Sequence, residues 1–370
     1  MASTAMPRAE VLRTLMSDAQ SSTAHGLALF LSDMGLYLAA IAGALFLPQL
    51  WMQVLASIYA GVKMGNLLTL AHDAAHNTLV KSRRLNWWLG VFSFLPCWYS
   101  YRMWVFDHHI MHHAHTNNDH KDTYTPYAKA QFDAMPRWKQ AMERFYRQPN
   151  PVSLAVYYIV ERWSQAKLFP NRKIPIASRA SAWKHCVFVC SVLIVWIVVL
   201  LNAPRYSHNG PIQALVLGLF LPFFSFMALV SFMLWAMHTN PHVAWYQGGD
   251  DPDPVTRRAG ELVSVHVQFP RWLSWLMHDV MDHPVHHLCP AIPCYRLHEA
   301  QKRYNALMGD RAVVAKGTWA YVSDTMRRCK LYDFEANRWL DWNGQPTSEL
   351  TMPYRNAAVS SGSGTTPLVI

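Results

Sequence analysis

Four long apolar runs constrain the fold of this chain more than any other feature. They cover roughly residues 26–47, 50–70, 186–201 and 212–237. A helix needs about 20 predominantly apolar residues to cross the hydrocarbon core of a bilayer. Only structures that satisfy their own backbone hydrogen bonds can do so. The runs therefore predict an all-α, polytopic membrane protein with four transmembrane helices. The charged fraction of 15% agrees, because ordinary soluble domains carry about 25%.

The distribution of Lys and Arg predicts the topology. The turn near Pro48 carries no positive charge and the turn at 202–211 carries one, whereas 77–182 holds 15 and 254–370 holds 13. Cytoplasmic segments are the ones enriched in Lys and Arg. We therefore expect both termini and residues 77–182 on the cytoplasmic side. We further expect a cytoplasmic segment over 1–25, one membrane domain over 26–350 and a flexible tail over 351–370.

Charge and cysteine content argue against two other classes of protein. The net charge of +10 is accounted for by the cytoplasmic segments, and no recognised nucleic-acid-binding motif accompanies it. No nucleic acid partner is expected. The six cysteines form no CxxC pattern, so neither a disulfide framework nor a zinc ribbon is indicated. The four apolar runs instead indicate that membrane lipid surrounds part of the chain.

Eight histidines form three tight clusters that predict a metal centre. The clusters are His72 with His76, His109 with His112 and His113, and His283 with His286 and His287. On a helix, positions i, i+3 and i+4 share a face, so each cluster can present its rings to one point. Neutral imidazole is a strong ligand for transition metals. Eight rings exceed the coordination number of one ion, which predicts two ions on the cytoplasmic side.

The clusters and their neighbours resemble the membrane-bound fatty acid desaturase family, the di-iron oxidoreductases with three histidine boxes. Residues 283–297, HPVHHLCPAIPCYRL, are similar to the family pattern HxxHHLxPxIPxYxL. Residues 112–117, HHAHTN, are similar to HHxxTN. The segment from His238-Thr239-Asn240-Pro241 to Trp245-Tyr246 resembles a further family segment that supplies one more histidine. The likeness covers roughly residues 30–305.

The resemblance implies a fold, a cofactor and a ligand set. The expected fold has four transmembrane helices and a cytoplasmic helical cap that holds a histidine-rich dimetal site, with a narrow tunnel for an acyl chain. The expected cofactors are two iron ions, with O2 as co-substrate. Carried over residue by residue, the metal ligands are His72, His76, His109, His112, His113, His238, His283, His286 and His287.

Neighbouring side chains are candidates to hold the ligand rings in place, because carboxylates commonly accept the second N–H of a ligand histidine. The candidates nearest to the clusters are Asp73, Asp107, His108, Asp119, His278 and Asp282. Asp122 and Asp279 are also close in sequence. No HPGG haem-binding segment is present, so the electron donor is expected to be a separate protein of the ferredoxin or cytochrome b5 type.

The expected reaction is oxygen-dependent desaturation of a fatty acyl chain. A hydroxylase, an acetylenase and a carotenoid-type oxygenase are alternatives that use similar clusters. Three carriers of the acyl group are compatible with the sequence: a lipid, coenzyme A and a carrier protein. The third cluster begins with His283 rather than Gln, which disfavours the front-end desaturases. Neither HExxH nor ExxH occurs, which argues against zinc proteases and soluble di-iron carboxylate enzymes.

Overall fold

A computed structural model describes residues 8–118, 122, 124–170, 176–247 and 264–351. The described part is mostly helical, which confirms the predicted fold class. The α-helices are α1 Arg8–Leu15, α2 Thr23–Phe46, α3 Leu50–Ala75, α4 Arg83–Phe94, α5 Tyr101–Val105, α6 Lys129–Asp133, α7 Arg137–Tyr146, α8 Pro151–Tyr157, α9 Ile176–Leu201, α10 Pro211–Leu215, α11 Leu221–His238, α12 Arg271–Leu276, α13 His283–Leu288, α14 Cys294–Met308 and α15 Trp319–Arg328. Three π-helical segments interrupt them, at Phe106–His112, Tyr158–Leu168 and Val216–Phe220.

The chain divides into two compact units, each built from separate stretches of sequence. The span unit comprises Ser21–Asp107 and Leu154–Ser231. The histidine unit comprises Met1–Gln20, His108–Ser153 and Phe232–Ile370. The predicted single domain over 26–350 therefore contains two structural units, and its boundaries stay predictions.

Four helical segments of the described chain are long and apolar enough to cross a membrane. They are Thr23–Phe46, Leu50–Ala75, Ser178–Leu201 and Pro211–His238. Each overlaps one predicted apolar run, so the four predicted spans are confirmed. The second and fourth helices continue beyond their apolar runs to reach His72 and His238. The apolar, aromatic stretch 87–95 is too short to cross a membrane, and residues 87–94 of it lie in the 12-residue helix α4.

Two glycines allow helix α3 to pack closely inside the span unit. A Cβ atom on Gly61 would lie 2.6 Å from the carbonyl oxygen of Pro222 and 2.7 Å from Cβ of Ser225. One on Gly65 would lie 2.9 Å from Cδ2 of Leu229. Lipid tails are as apolar as the helices themselves, so membrane helices associate through close packing of small residues. Gly61 and Gly65 thus fix the contact of α3 with the last membrane helix.

A buried ion pair joins the first two membrane helices. The Lys63 Nζ atom on α3 lies 3.0 Å from Oδ1 of Asp33 on α2, and both side chains are only 4% exposed. The Asn66 side-chain amide also donates to Asp33, at 3.3 Å. Polar groups inside a membrane are costly and usually face the protein interior. Because Lys63 and Asn66 interrupt the second apolar run, the sequence predicts that they face the protein interior, and their burial confirms it.

Replacing Lys63 with methionine is expected to destabilise the protein by about 3–5 kcal/mol, because one buried charge then loses its partner. The double variant Asp33→Leu/Lys63→Met serves as the control and is expected to lie close to the wild type, since replacing both partners by apolar groups is often neutral. Thermal unfolding in detergent measures the difference. Equal midpoints for the single variant and the wild type would contradict a structural role for the pair.

The histidine unit contains two small sheets that the sequence did not predict. Strand β1, Val265–Gln268, pairs in parallel with β2, Val313–Lys316. Strand β3, Leu331–Asp333, pairs antiparallel with β4, Arg338–Leu340. Strands of three or four residues are too short to show a clear alternation of polar and apolar residues.

An aromatic cluster in the histidine unit anchors the chain segment that follows His238. Trp245, Tyr332 and Trp339 are fully buried together with Cys329. The indole Nε1 of Trp339 donates to the carbonyl oxygen of Asn240 at 2.9 Å. The backbone that leaves the last membrane helix is thereby held against the C-terminal sheet, which restricts the position of His238.

Candidate metal centre

Four buried histidines converge in the histidine unit. The ligand atoms of His112, His238, His283 and His287 all lie within 4.8 Å of one another. His112 ends the first π-helix, His238 ends α11, and His283 and His287 are four residues apart on α13. The Nε2 atom of His283 lies 3.0 Å from Nε2 of His238 and 2.8 Å from Nε2 of His287. These four residues are called the first histidine group.

The spacing of these nitrogens fits a metal ion. With metal–nitrogen bonds of about 2.1 Å, two nitrogens on one ion lie roughly 3.0–3.4 Å apart. Burial, followed by the neighbouring His283, His113, His112 and His238, holds the pKa of His287 well below its ordinary value. The His287 ring is therefore neutral and has a lone pair on one nitrogen. Nitrogen atoms this close to one another are best satisfied by a shared cation.

Asp122 orients the ring of His112 for this role. The Nδ1 atom of His112 lies 2.7 Å from Oδ1 of Asp122, and the backbone N–H of Asn117 donates to the other carboxylate oxygen at 2.8 Å. Burial alone would raise the pKa of Asp122, but His112 and the Asn117 N–H outweigh it and lower that pKa below its ordinary value. The carboxylate therefore holds the proton of His112 on Nδ1.

The other nitrogen of His112 is left for a metal. Its Nε2 atom is buried and has no hydrogen-bond partner among the described residues. A buried polar atom without a partner is costly, and a carboxylate behind the opposite nitrogen is the usual arrangement of a metal-bound histidine. The donor set of the first histidine group therefore fits a transition metal ion.

A second histidine group adjoins the first within the same unit. The Nε2 atom of His113 lies 2.9 Å from Nε2 of His108 and 3.2 Å from Nε2 of His286. The ring centroids of His113 and His287 are 4.9 Å apart, so the two groups are neighbours. His108, His113 and His286 form the second histidine group. Two adjacent groups agree with the prediction of two ions.

The winding of the first π-helix explains why His108 belongs to this group. The backbone N–H of His113 donates to the carbonyl oxygen of His108 at 2.9 Å, a bond between residues i and i+5. Residues five apart then share a face, which aligns His108 with His113. The sequence reasoning assumed α-helical spacing and assigned His109. The ring centroid of His109 lies 6.4 Å from that of His113, and His109 is in neither of the two groups.

The two histidines of the first cluster lie in the span unit, near the end of α3. The ring centroids of His72 and His76 are 4.8 Å apart. The Nδ1 atom of His72 lies 3.0 Å from Oδ1 of Asp73. The proposed partnership of Asp73 with a cluster histidine therefore has the expected geometry. The edge of the His72 ring also contacts Trp104, with centroids 5.7 Å apart.

Other predicted neighbours of the ligands have different partners. The Asp107 carboxylate binds two basic side chains of the span unit, Arg162 at 3.2 Å and Lys167. His278 adopts a left-handed backbone conformation, with a φ of 54°, and belongs to neither histidine group. Asp119 lies outside the described residues.

Asp282 binds two histidines outside the groups and positions helix α13. Its carboxylate oxygens lie 2.8 Å from Nε2 of His266 and 3.0 Å from Nδ1 of His298. Fully buried Gln301 accepts a hydrogen bond from the backbone N–H of Val285 at 3.0 Å. Gln301 thus satisfies an N–H in the first turn of α13, where a capping side chain would otherwise act. The sequence reasoning missed His266 and Gln301, because neither lies within a cluster.

The apolar spans and the paired histidine groups define a multi-pass helical membrane protein with a centre suited to metal ions. The family model for fatty acid desaturases matches residues 19–318. The chain therefore belongs to the fatty acid desaturase family.

Relatives among known proteins are consistent with this membership. The chain is 25% identical over 305 residues to the chloroplastic omega-6 fatty acid desaturase of Spinacia oleracea, which covers 82% of this chain and 63% of that protein. It is 23% identical over 330 residues to the sn-1 oleoyl-lipid 12-desaturase of a Synechocystis strain, which covers 88% and 89%. It is also 23% identical over 297 residues to an sn-1 acyl-lipid omega-3 desaturase (ferredoxin) of that strain, which covers 79% and 78%. The chain thus spans about 63% of the length of the spinach relative.

Proposed function

We propose that this protein catalyses oxygen-dependent desaturation of a fatty acyl chain at a histidine-coordinated di-iron centre. The observation that carries the proposal is the buried first histidine group beside the second, with the Nε2 atom of His112 left unbonded among the described residues. Two iron ions, when bound, supply the activation of O2 and the removal of hydrogen from an unactivated C–H bond, which side chains alone cannot do.

The proposed ligands follow the two groups. His112, His238, His283 and His287 hold one ion, and His113 and His286 contribute to the other. His72 and His76 are proposed as further ligands of the second ion on the basis of the family pattern alone. For the remaining ligand of the second ion we propose His108, because it belongs to the second histidine group; the family pattern has His109 instead.

The protein's own residues prepare the centre. Asp122 and Asp73 accept the second N–H of His112 and His72, which fixes their tautomers and raises their basicity as ligands. All four residues of the first group are buried, so bulk water has little access to their ligand atoms. Helix α13 holds His283 and His287 at a fixed separation, and the hydrogen bond from the Val285 N–H to Gln301 stabilises its first turn.

Separate replacement of His108 and His109 by glutamine tests the winding of the π-helix. If the i to i+5 pairing persists in the loaded enzyme, His108→Gln is expected to lower the iron content toward one ion per chain and His109→Gln to leave it near two. Iron per chain, measured on purified protein, gives the answer. The reverse result would show that this segment winds as an α-helix around the ions, which puts His109 three and four residues before His112 and His113.

An apolar cavity in the span unit supports a hydrocarbon substrate. Its volume is about 540 Å³, within the roughly 300–1,000 Å³ of small-molecule sites. Side chains of α2, α4 and α9 and of the turn after α4 line it, among them Phe30, Tyr37, Phe92, Trp98 and Trp196. Trp98 has a φ of 55°, rare for a bulky residue. We infer that this cavity receives part of the acyl chain.

The carrier and the electron donor are inferred from relatives. Two similar proteins are named for acyl-lipid substrates, so an acyl lipid is the proposed substrate rather than an acyl-coenzyme A or an acyl-carrier protein. One of them carries ferredoxin in its name, so ferredoxin rather than cytochrome b5 is the proposed donor. Assays of the purified protein with each carrier and each donor separate these choices.

The proposed topology has both termini and the metal centre on the cytoplasmic side. It is supported by the concentration of 15 Lys and Arg within 77–182 and 13 within 254–370, since such segments stay in the cytoplasm. Protease digestion of sealed cells carrying a terminal tag tests it. Cleavage of either tag from outside would contradict this orientation.

Lipid profiling of a host that expresses the chain tests the function. We expect fatty acids that have lost two hydrogens, in amounts that vanish for the His283→Ala variant. Gain of one oxygen atom instead would favour the hydroxylase alternative. Loss of four hydrogens at one position would favour an acetylenase. Unchanged profiles with the wild-type protein, given active donor proteins, would overturn the proposal.

A further inference from the structure

We propose that an aromatic patch of the histidine unit, formed by Phe269, Trp272, Trp275 and Trp319, lies in the interface of an anionic phospholipid bilayer. None of these residues belongs to a histidine group or to a membrane-spanning helix. The proposal is therefore independent of the proposed function. It assigns a second membrane contact, in addition to the four spans.

The three tryptophans are far more exposed than side chains of this size usually are. Trp272 is 67% exposed, and Trp275 and Trp319 are each 68% exposed. Trp272 and Trp275 are three residues apart on α12 and so share one helix face. Contiguous exposed apolar surface marks sites of contact with proteins or membranes.

The parallel β1–β2 sheet brings the members of the patch together. Gln268 and Lys316 are the last pair of the two strands, and the Gly317 N–H donates to the Gln268 carbonyl at 2.7 Å. The segments that follow β1 and β2 therefore leave the same end of the sheet. The ring of Phe269 packs against Gly317. A Cβ atom on Gly317 would lie 2.6 Å from Cε1 of Phe269. Helices α12 and α15 begin just beyond, with Trp272 and Trp319 in their first turns.

One contact places the patch at the level of the bilayer surface. Phe232 belongs to the candidate span Pro211–His238, and its ring centroid lies 6.5 Å from that of Phe269. Phe232 is six residues before His238, or about 9 Å along the helix axis. The patch thus adjoins the last part of a membrane helix. Tryptophan is enriched at this depth because its ring is apolar and its N–H is polar.

The charges around the patch fit an anionic lipid surface. Lys316 is exposed beside the tryptophans and carries a positive charge, whereas the guanidinium of exposed Arg271 is paired with the Asp279 carboxylate at 2.6 Å. Neither 264–276 nor 312–323 contains an Asp or a Glu. Basic side chains next to Trp and Phe are the composition of segments that lie in the interface, and an anionic surface attracts Lys and Arg side chains near it. These features favour a lipid surface over a second copy of the chain.

Nitroxide labels on single cysteines test the proposal in the full-length protein. Cysteine replaces Trp272, Trp275 or Trp319 in turn, in a Cys190→Ala background, because the other native cysteines are buried. Lys302 on α14, with a side chain 60% exposed, is the aqueous control position. Power-saturation electron paramagnetic resonance in nanodiscs of neutral and anionic phospholipid compares access of O2 with access of a water-soluble nickel chelate.

Labels at the three tryptophan positions are expected to be accessible to O2 and shielded from the chelate, and the label at 302 the reverse. Replacing both Trp272 and Trp275 with glutamate is expected to return the label at 319 to water. Free access of the chelate to all three positions would overturn the proposal. So would shielding that persists in detergent together with spin–spin broadening between labels, because this would identify a second copy of the chain as the partner.

Discussion

Replacing His283 with alanine is expected to remove one of the two proposed iron ions and to lower desaturation by more than about 100-fold. Removing the hydrogen-bond partner of a metal-bound histidine typically lowers metal affinity or activity about 10–100-fold. His283 is itself a proposed ligand, so its removal is expected to cost more. Its Nε2 atom lies within 3.0 Å of Nε2 of His238 and 2.8 Å of Nε2 of His287, so it occupies the centre of the first histidine group. Elemental analysis gives the iron content, and product formation from a labelled acyl lipid gives the activity.

His208→Ala is the matched control for this experiment. His208 is exposed in the turn between the third and fourth membrane helices and belongs to neither histidine group. The control is expected to keep its iron and its activity. A His283→Ala protein that retains two irons per chain would contradict the assignment of the first group. One that retains iron but makes no product would assign His283 to the reaction rather than to metal binding.

Replacing Asp122 with asparagine is expected to weaken iron binding by about 10–100-fold, the usual effect of removing a carboxylate behind a ligand histidine. The asparagine side chain has the same shape, so the fold is preserved. It lacks the negative charge that holds the proton on Nδ1 of His112, at 2.7 Å from the carboxylate. Titration of the loaded protein with a chelator measures the loss, as the chelator concentration that removes half of the iron.

Asp133→Asn provides the comparison for Asp122. Asp133 is an exposed carboxylate whose partner is Lys129 on the same helix, and no histidine is involved. Its chelator titration is expected to match that of the wild type. Coincident curves for Asp122→Asn and the wild type would show that the orientation of His112 does not depend on this carboxylate.

The length of the apolar runs predicted the membrane helices well because the physical requirement for a membrane span is simple. A span needs a long apolar run, and nothing else in the chain can replace it. The interior orientation of Lys63 was predictable for the same reason, since a charge cannot face lipid tails. Helical spacing also paired His283 with His287, because α13 winds as an ordinary α-helix.

The remaining features depend on information that local spacing does not contain. The residue sequence alone does not distinguish the first π-helix from an α-helix, and only its i to i+5 bonds bring His108, rather than His109, into the second histidine group. Asp107 precedes a histidine cluster, yet Arg162 and Lys167 bind its carboxylate from 55 and 60 residues away. Gln301 supports α13 from another helix. Each of these requires knowledge of which distant segments pack together.

The ion pair between Asp33 and Lys63 has a consequence for how the protein enters its membrane. Each charge sits near the middle of its helix, where insertion of a lone Asp or Lys costs about 2.5–3.5 kcal/mol. Only three residues separate the ends of α2 and α3. The two segments can therefore enter the membrane as one hairpin with the opposite charges already paired, which avoids the cost of exposing either charge to lipid alone.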